Sequence, residues 1–426
     1  MLSLLFPEQF LWGTSMASYQ VEGGNDKTNW GEWEASPQRL AALEASGELE
    51  KYGLENFLCG RACDHYARYR SDFRLAKAHG HNAIRCGSEP GRVMPCRGTI
   101  DEQALRHYVD VATYLRRLKI IPCWNLWHWT LPTWWEREGG WLSPYALKYW
   151  SQYVVAITEA LGPSVHDWIT LNETNVFSRY AYLEGRWPPQ QQDTVACARV
   201  NAVLQEAHMS AVAIIKAARS TAQVGIAHSF TSHTMTAETP AQRAWKHDND
   251  SSWNYCFLEP IIETLDFVGV NYYQRIVYGE HVPVVVSDLG WELYPQGIYE
   301  TLRDVWSRWQ KPLLITESGL ADATDRLRPW YLWETLLWVH RAMMEGIPIL
   351  GHLVWSLIDN FEWADGFWPR FGLVAIDRAH RYARTPRLSA YLYRDIIAAH
   401  GLTAELVTHY APFIVSPHTS FQKGVL

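Results

Sequence analysis

Basic charge is in short supply along these 426 residues: 38 Lys and Arg face 45 Asp and Glu, a net charge of −7. That balance argues against a nucleic-acid or anionic-membrane partner and favours a neutral ligand. Long apolar runs are missing too. None approaches the roughly 18 residues of a membrane helix, so no membrane span is predicted. The opening Met1-Leu2-Ser3-Leu4-Leu5-Phe6 stops at Pro7 with no basic flank or cleavage site, which predicts no secretory leader and a cytoplasmic protein. Cysteines number only seven, odd and scattered; Cys59, Cys63 and His65 lie close together but match no zinc spacing, so reduced thiols are expected, with no disulfide framework, metal or other cofactor. Internal repeats, low-complexity tracts and Gly/Ser linkers are absent as well. The chain therefore reads as one domain, 1–426, with 401–426 as a C-terminal tail.

What is abundant is tryptophan, 23 residues, with Trp124, Trp127, Trp129, Trp134, Trp135 and Trp141 crowded into one stretch. An indole offers an apolar face that matches the C–H face of a pyranose, and an N–H that reaches a hydroxyl. Most of these rings are expected in the core, with a minority free to meet a sugar.

Apolar, β-rich runs alternate with amphipathic ones. The former are Phe10 to Gly13, Ala83 to Gly87, Ile120 to Trp127, Trp168 to Asn172, Val224 to Ser229, Phe267 to Asn271, Leu313 to Thr316 and Leu350 to Leu357. Helical patterns between them include Asp64 to Ala78, Glu102 to Leu118, Pro144 to Leu161, Val195 to Arg219 and Arg326 to Glu345. Strands that are almost continuously apolar suit a parallel sheet covered on both faces, and eight of them predict an α/β fold, a single (β/α)8 TIM barrel. Ser36 to Gly60 reads as a loop with a short helix.

A barrel of this kind builds its site from the C-terminal ends of the strands. Those ends carry Gln20 and Glu22, Arg85 and Glu89, Asn125 and His128, Asn172 and Glu173, Asn271 and Tyr273, Glu317, then Trp355, Asp359, Glu362 and Trp363. Two runs, Ile169-Thr170-Leu171-Asn172-Glu173 and Leu313-Leu314-Ile315-Thr316-Glu317, end on a glutamate. Two carboxyls facing one cleft are the minimal equipment for cleaving a glycosidic bond by acid/base and covalent chemistry. At about 5 Å and an effective dielectric near 20, two carboxylates would repel by roughly 3 kcal/mol, so one of them keeps a proton.

These motifs resemble glycoside hydrolase family 1, the retaining β-glycosidases, and the likeness runs from about Phe10 to Ile397. Phe10-Leu11-Trp12-Gly13 through Gln20-Val21-Glu22-Gly23, Asp64-His65-Tyr66 through Arg85, His128-Trp129-Thr130-Leu131-Pro132, Thr170-Leu171-Asn172-Glu173, Ile315-Thr316-Glu317-Ser318-Gly319, Trp355 through Trp363, and Arg370-Phe371-Gly372-Leu373 carry it in order. Their style is similar to the archaeal-type branch. The resemblance implies Glu317 as nucleophile and Glu173 as general acid, then base, with Arg85, Asn271 and Tyr273 contacting the nucleophile. It further implies Gln20, His128, Asn172, Glu362 and Trp363 on sugar hydroxyls and Trp355 as the platform under the ring. A carboxylate at Glu362 would repel a phosphate, so an unphosphorylated β-glucoside or β-galactoside, free or in a short β-linked oligosaccharide, is the expected substrate. Thr174, Ser318, Thr130 and Pro90 depart from the family's usual Pro, Asn, Asp and Trp. Three other readings stand beside this one: a transglycosylase with the same chemistry, a catalytically inactive sugar-binding barrel, and a metal-dependent hydrolase using His79-Gly80-His81, whose position at the start of a strand places it at the wrong end of the barrel.

Overall fold

The computed structural model describes residues 3–415. Eight parallel strands close on one another in sequence order: β1 (Leu11–Ser15), β2 (Ala83–Gly87), β3 (Ile121–Trp127), β4 (Asp167–Asn172), β5 (Gln223–Met235), β6 (Phe267–Tyr278), β7 (Leu313–Ser318) and β8 (Ile349–Trp355). The outer helices His65–Ala78, Glu102–Arg117, Ala146–Leu161, Thr194–Ala218, Gln296–Trp309, Arg328–Met344 and Leu388–Ala398 cover this cylinder. All eight predicted strands and the five predicted helices occupy their expected places, with ends shifted by a few residues except at the far ends of β5 and β6.

Local chemistry explains where the elements begin. Asp101 accepts from the backbone N–H groups of Gln103 and Ala104, and Asp193 from those of Val195 and Ala196, caps worth about 1 kcal/mol each. Gly13 is required where β1 meets β2, because a Cβ there would lie 1.8 Å from the Ala83 carbonyl oxygen. Inside the barrel, Ala83, Cys123, Ile169, Ala227, Phe267, Leu314 and Leu353, one from each of seven strands, form an apolar plug flanked by Leu11 and Ile121. The plug closes the lower half, so polar chemistry is confined to the upper half.

Three sequence expectations change. Ser36 to Gly60 holds two helices, Pro37–Ala45 and Glu48–Tyr52, and a 3-10 turn at Leu54–Asn56; Ser36 caps the first through the Arg39 N–H, with Pro37 in its first turn. The described part of the tail is built into the fold. Gly401–Leu402 pairs antiparallel with Leu4–Leu5, and the helix Ala404–Ile414 buries Leu406, Tyr410 and Ile414; residues 416–426 lie outside the described part. Finally, β5 and β6 continue well beyond the predicted Ser229 and Asn271, running paired as far as Met235 and Tyr278. Only the upper ladder alternates with polar residues, which hid it from a search for continuously apolar runs.

Candidate active site

At the upper rim a hydrogen-bonded chain joins the two glutamates. Arg85, fully buried on β2, donates through Nη1 to Oε1 of Glu317 and through Nη2 to Oδ1 of Asn172. The same Oδ1 accepts from Nδ2 of Asn271 at 3.2 Å, and that nitrogen also donates to Oε1 of Glu173 at 2.8 Å. Tyr273 completes the cradle of Glu317, its hydroxyl donating to Oε2 at 2.6 Å.

The strands deliver these groups by register. Asn271 stands opposite Glu317, with a shift between Val270 and Asn271 that leaves Thr316 without a partner; such bulges re-aim side chains beside active sites. Thr316 Oγ1 donates to Asn271 Oδ1 at 2.6 Å, so the amide nitrogen of Asn271 turns towards Glu173. Asn271, expected on the nucleophile, is therefore a partner of the other carboxyl. The alternation of β6 brought it to the site, while its actual neighbour depended on the bulge.

Glu173 begins the short helix that follows β4 with φ +43°, and its N–H is tied to the Ala227 carbonyl at 2.8 Å. Trp129 and Trp363 also hold positive φ, at +73° and +49°, a conformation that costs non-glycine residues and here places three side chains around one cavity. Burial, reinforced by the charge of Glu317, raises Glu173 well above the ordinary carboxylate range. Asn271 and Arg85 pull it the other way without prevailing. Glu317 is held between a guanidinium and a phenol, the latter kept protonated by burial and by Glu317 itself.

The cavity they face measures about 330 Å³ and is lined by Glu173, Glu317, His128, Tyr273, Trp355, Glu362 and Trp363 among others. His128 stacks on Trp363 at 5.7 Å, and Trp129 lies 4.7 Å from both Trp363 and Trp187. Burial, followed by the charge of Arg85, holds His128 well below its ordinary value, so the ring is neutral. Its Nε2 lies 3.0 Å from Asn172 Nδ2.

Two expected hydroxyl binders are largely spent on the protein. Asn172 is fully buried, with its oxygen taken by Arg85 and Asn271 and its nitrogen facing His128, so at most one N–H remains for a sugar. Gln20 is equally buried and donates to the Phe361 carbonyl at 2.8 Å and towards Glu362 Oε2 at 3.4 Å, while its Oε1 has no protein partner. Glu362 accepts from Asn360 Nδ2 at 2.7 Å and is pushed up to about 8, chiefly by burial. At neutral pH it is therefore mostly a neutral acid that can donate as well as accept. Charge repulsion of phosphate, expected from the sequence, is correspondingly weaker.

Several lining residues escaped the sequence reading: Trp187, Trp253, Leu289, Trp291, Tyr180 and Arg186. They lie on connections far from the strand ends, and only the tryptophan excess hinted at them. Among the described residues no group of three His, Cys, Asp or Glu side chains is placed to hold a metal ion. His79 bonds back to the Leu75 carbonyl, and burial keeps His81 neutral at about 3. No helix in the described residues is long and apolar enough to cross a membrane.

The glycosyl hydrolase family 1 model matches residues 3–264 and 278–402. The chain belongs to glycosyl hydrolase family 1. The gap falls on β6, so Asn271 and Tyr273 are placed by the structure rather than by that match. Among relatives, the chloroplastic galactolipid galactosyltransferase of Arabidopsis thaliana is 32% identical over 78% of this chain; the chain spans 57% of that protein's length. The 1,4-beta-D-glucan glucohydrolase of Thermotoga neapolitana is 29% identical over 93% of this chain and 99% of its own. A beta-glycosidase structure from Pyrococcus horikoshii superposes with a TM-score of 0.84 at 31% identity, covering 98% of this chain and 99% of that one. The family 1 beta-glucosidase of Thermotoga maritima gives 0.86 at 26%, covering 94% and 100%.

Proposed function

We propose that this family 1 member is a retaining, exo-acting β-glycosidase that removes unphosphorylated β-D-glucosyl or β-D-galactosyl groups. The observation that carries the reading is the relay Glu317, Arg85, Asn172, Asn271, Glu173, which gives one carboxyl a cation and leaves the other with a proton. In the first step Glu317 attacks C1 of the sugar while Glu173 passes its proton to the departing glycosidic oxygen. The glycosyl ester so formed removes the Glu317 charge that had added to burial in raising Glu173. As a carboxylate, Glu173 then takes a proton from water, whose oxygen attacks C1 from the opposite face and releases Glu317. Two inversions leave a β product.

Trp355 and Trp363 supply apolar faces for the ring, and Glu362, held by Asn360, selects the hydroxyls. A panel of aryl β-glycosides tests the assignment, with the first-formed anomer followed by NMR. A β-configured first product is expected. An α-configured one, or no turnover on any glycoside of the panel, would sink it.

A second reading, transfer to a sugar or lipid hydroxyl in place of water, is favoured by two observations. One is the 32% identity to a galactolipid galactosyltransferase. The other is the aromatic wall of Trp253, Trp291 and Tyr180, which would hold an acceptor against water. The ratio of released aglycone to free sugar in the presence of an alcohol acceptor separates the two readings.

A further inference from the structure

A second cavity, of about 650 Å³, shares no lining residue with the first and opens beside the strand pair Val374–Asp377 and Ala383–Pro386. Three arginines line it, Arg370, Arg378 and Arg387, in a chain whose net charge is −7. Three acids line it as well, and two of them, Asp359 and Asp377, are already engaged. Asp359 takes Arg387 in a two-pronged pair at 2.9 and 3.0 Å and the N–H groups of Gly372 and Ile376. Asp377 holds the backbone of Ala379 and His380 and the His380 ring. The carboxylate of Glu55 is at the exposed surface, and only its backbone carbonyl meets Arg378, at 3.3 Å.

Arg370 and Arg378 are left with open donors. Arg370 reaches Asp359 only at 3.5 Å, the outer limit of a hydrogen bond. Arg378 lies 3.5 Å over the ring of Phe367, which fixes its plane, and no carboxylate of the described residues pairs with it. Guanidinium forks with unfilled N–H groups suit planar, bidentate recognition of phosphate oxygens.

We infer that this cavity is a binding site for a small phosphate-bearing anion, held between the guanidinium groups of Arg370 and Arg378. Burial and, to a lesser degree, the neighbouring Arg370 lower Arg378 from its ordinary value, a cost that a bound dianion would relieve. The site sits behind the sugar-binding loop. Arg370 directly precedes Phe371, which lines the catalytic cavity and whose carbonyl accepts from the Ser356 N–H at 3.3 Å, while the Arg370 carbonyl accepts from the Asp322 N–H at 2.9 Å. Occupation therefore steadies the stretch that presents Trp355 and Trp363, and lowers KM for a glycoside; this last effect alone rests on the proposed function.

Calorimetric titration of the whole chain with inorganic phosphate and with glucose 6-phosphate, at constant ionic strength, tests the site. Deoxynojirimycin is present in one series to fill the catalytic cavity. Saturable one-site binding that is indifferent to the inhibitor is expected, weakened roughly tenfold or more in Arg378→Ala and in Arg370→Gln. Arg370→Gln removes no strong internal contact, and it decides the matter if Arg378→Ala unfolds. Tighter binding of either anion supports the site and identifies the source of the phosphate. No saturation by about 20 mM, binding unchanged in the variants, or displacement by deoxynojirimycin overturns it. Because anion binding is read without turnover, the effect of the two variants is independent of whether the chain cleaves glycosides.

Discussion

The lower and upper halves of the barrel use the same eight strands for opposite purposes. Below, Ala83, Cys123, Ile169, Ala227, Phe267, Leu314 and Leu353 bury only apolar surface. Above, Arg85, Asn172, Glu173, Asn271 and Glu317 bury charge and amides at the same depth, each 6% exposed or less. Burying charge is unfavourable unless every group finds a partner, and burying methylenes is favourable by about 0.8 kcal/mol apiece. The lower half thus supplies stability that the upper half consumes, and strain accumulates at Trp129, Glu173 and Trp363 with their positive φ.

The largest expected effect removes function from the top alone. Glu317→Ala should lower kcat on the order of 10⁴-fold or more, with a small external anion such as azide restoring turnover and giving an inverted product. Unchanged hydrolysis by this variant would dissolve the contrast between the halves. At the bottom, Leu353→Ala should cost about 2–5 kcal/mol of stability, read from the denaturation midpoint, while kcat of the folded protein stays near that of the parent. If kcat fell as far as stability, the halves would not be separable.

Smaller changes sharpen the comparison. Tyr273→Phe removes one hydrogen bond to Glu317 and should cost about 1.5–3 kcal/mol in kcat/KM, roughly 10- to 150-fold. In the proposed mechanism Glu173 is protonated for the first step, and its value in the free protein is raised, so kcat/KM should fall as pH rises through that raised value. Asn271 pulls Glu173 downwards, so Asn271→Ala should move this basic limb to higher pH. A shift to lower pH would restore the pairing with Glu317 that the resemblance implied.

Stability carries its own signature. Glu362, raised to about 8, and Glu89 and Glu136, each raised to about 7, are all lifted chiefly by burial. The folded state therefore holds protons that the unfolded state has released, and stability declines as pH climbs from about 4.5 towards these values. Glu362→Gln should flatten that decline, as followed by melting temperature across pH.

Much of this was readable in advance because barrel strands are continuously apolar and their ends are not. Glu173 and Glu317 could be picked out as strand-terminal acids, and Arg85 and Tyr273 as their company. What escaped reading depended on contacts between distant segments. The ribbon of β5 and β6 past Ser229 and Asn271 lost the apolar signal once it left the core. Trp187, Trp253 and Trp291 sit on connections whose paths no local pattern specifies. Gln20 and Asn172 lie beside Glu362 and His128, yet their amides are mostly spent on Phe361, Arg85 and Asn271 rather than left free.

The order of residues along the chain by itself determined the eight-stranded barrel, its helical jacket and the family, because hydrophobic period and short motifs are local properties. Only the tertiary structure decided which carboxyl Asn271 serves, that burial raises Glu362, and that Arg370 and Arg378 line one second cavity. Those outcomes depend on register, burial and distance between segments far apart in the chain, and such quantities exist only once the chain has closed on itself.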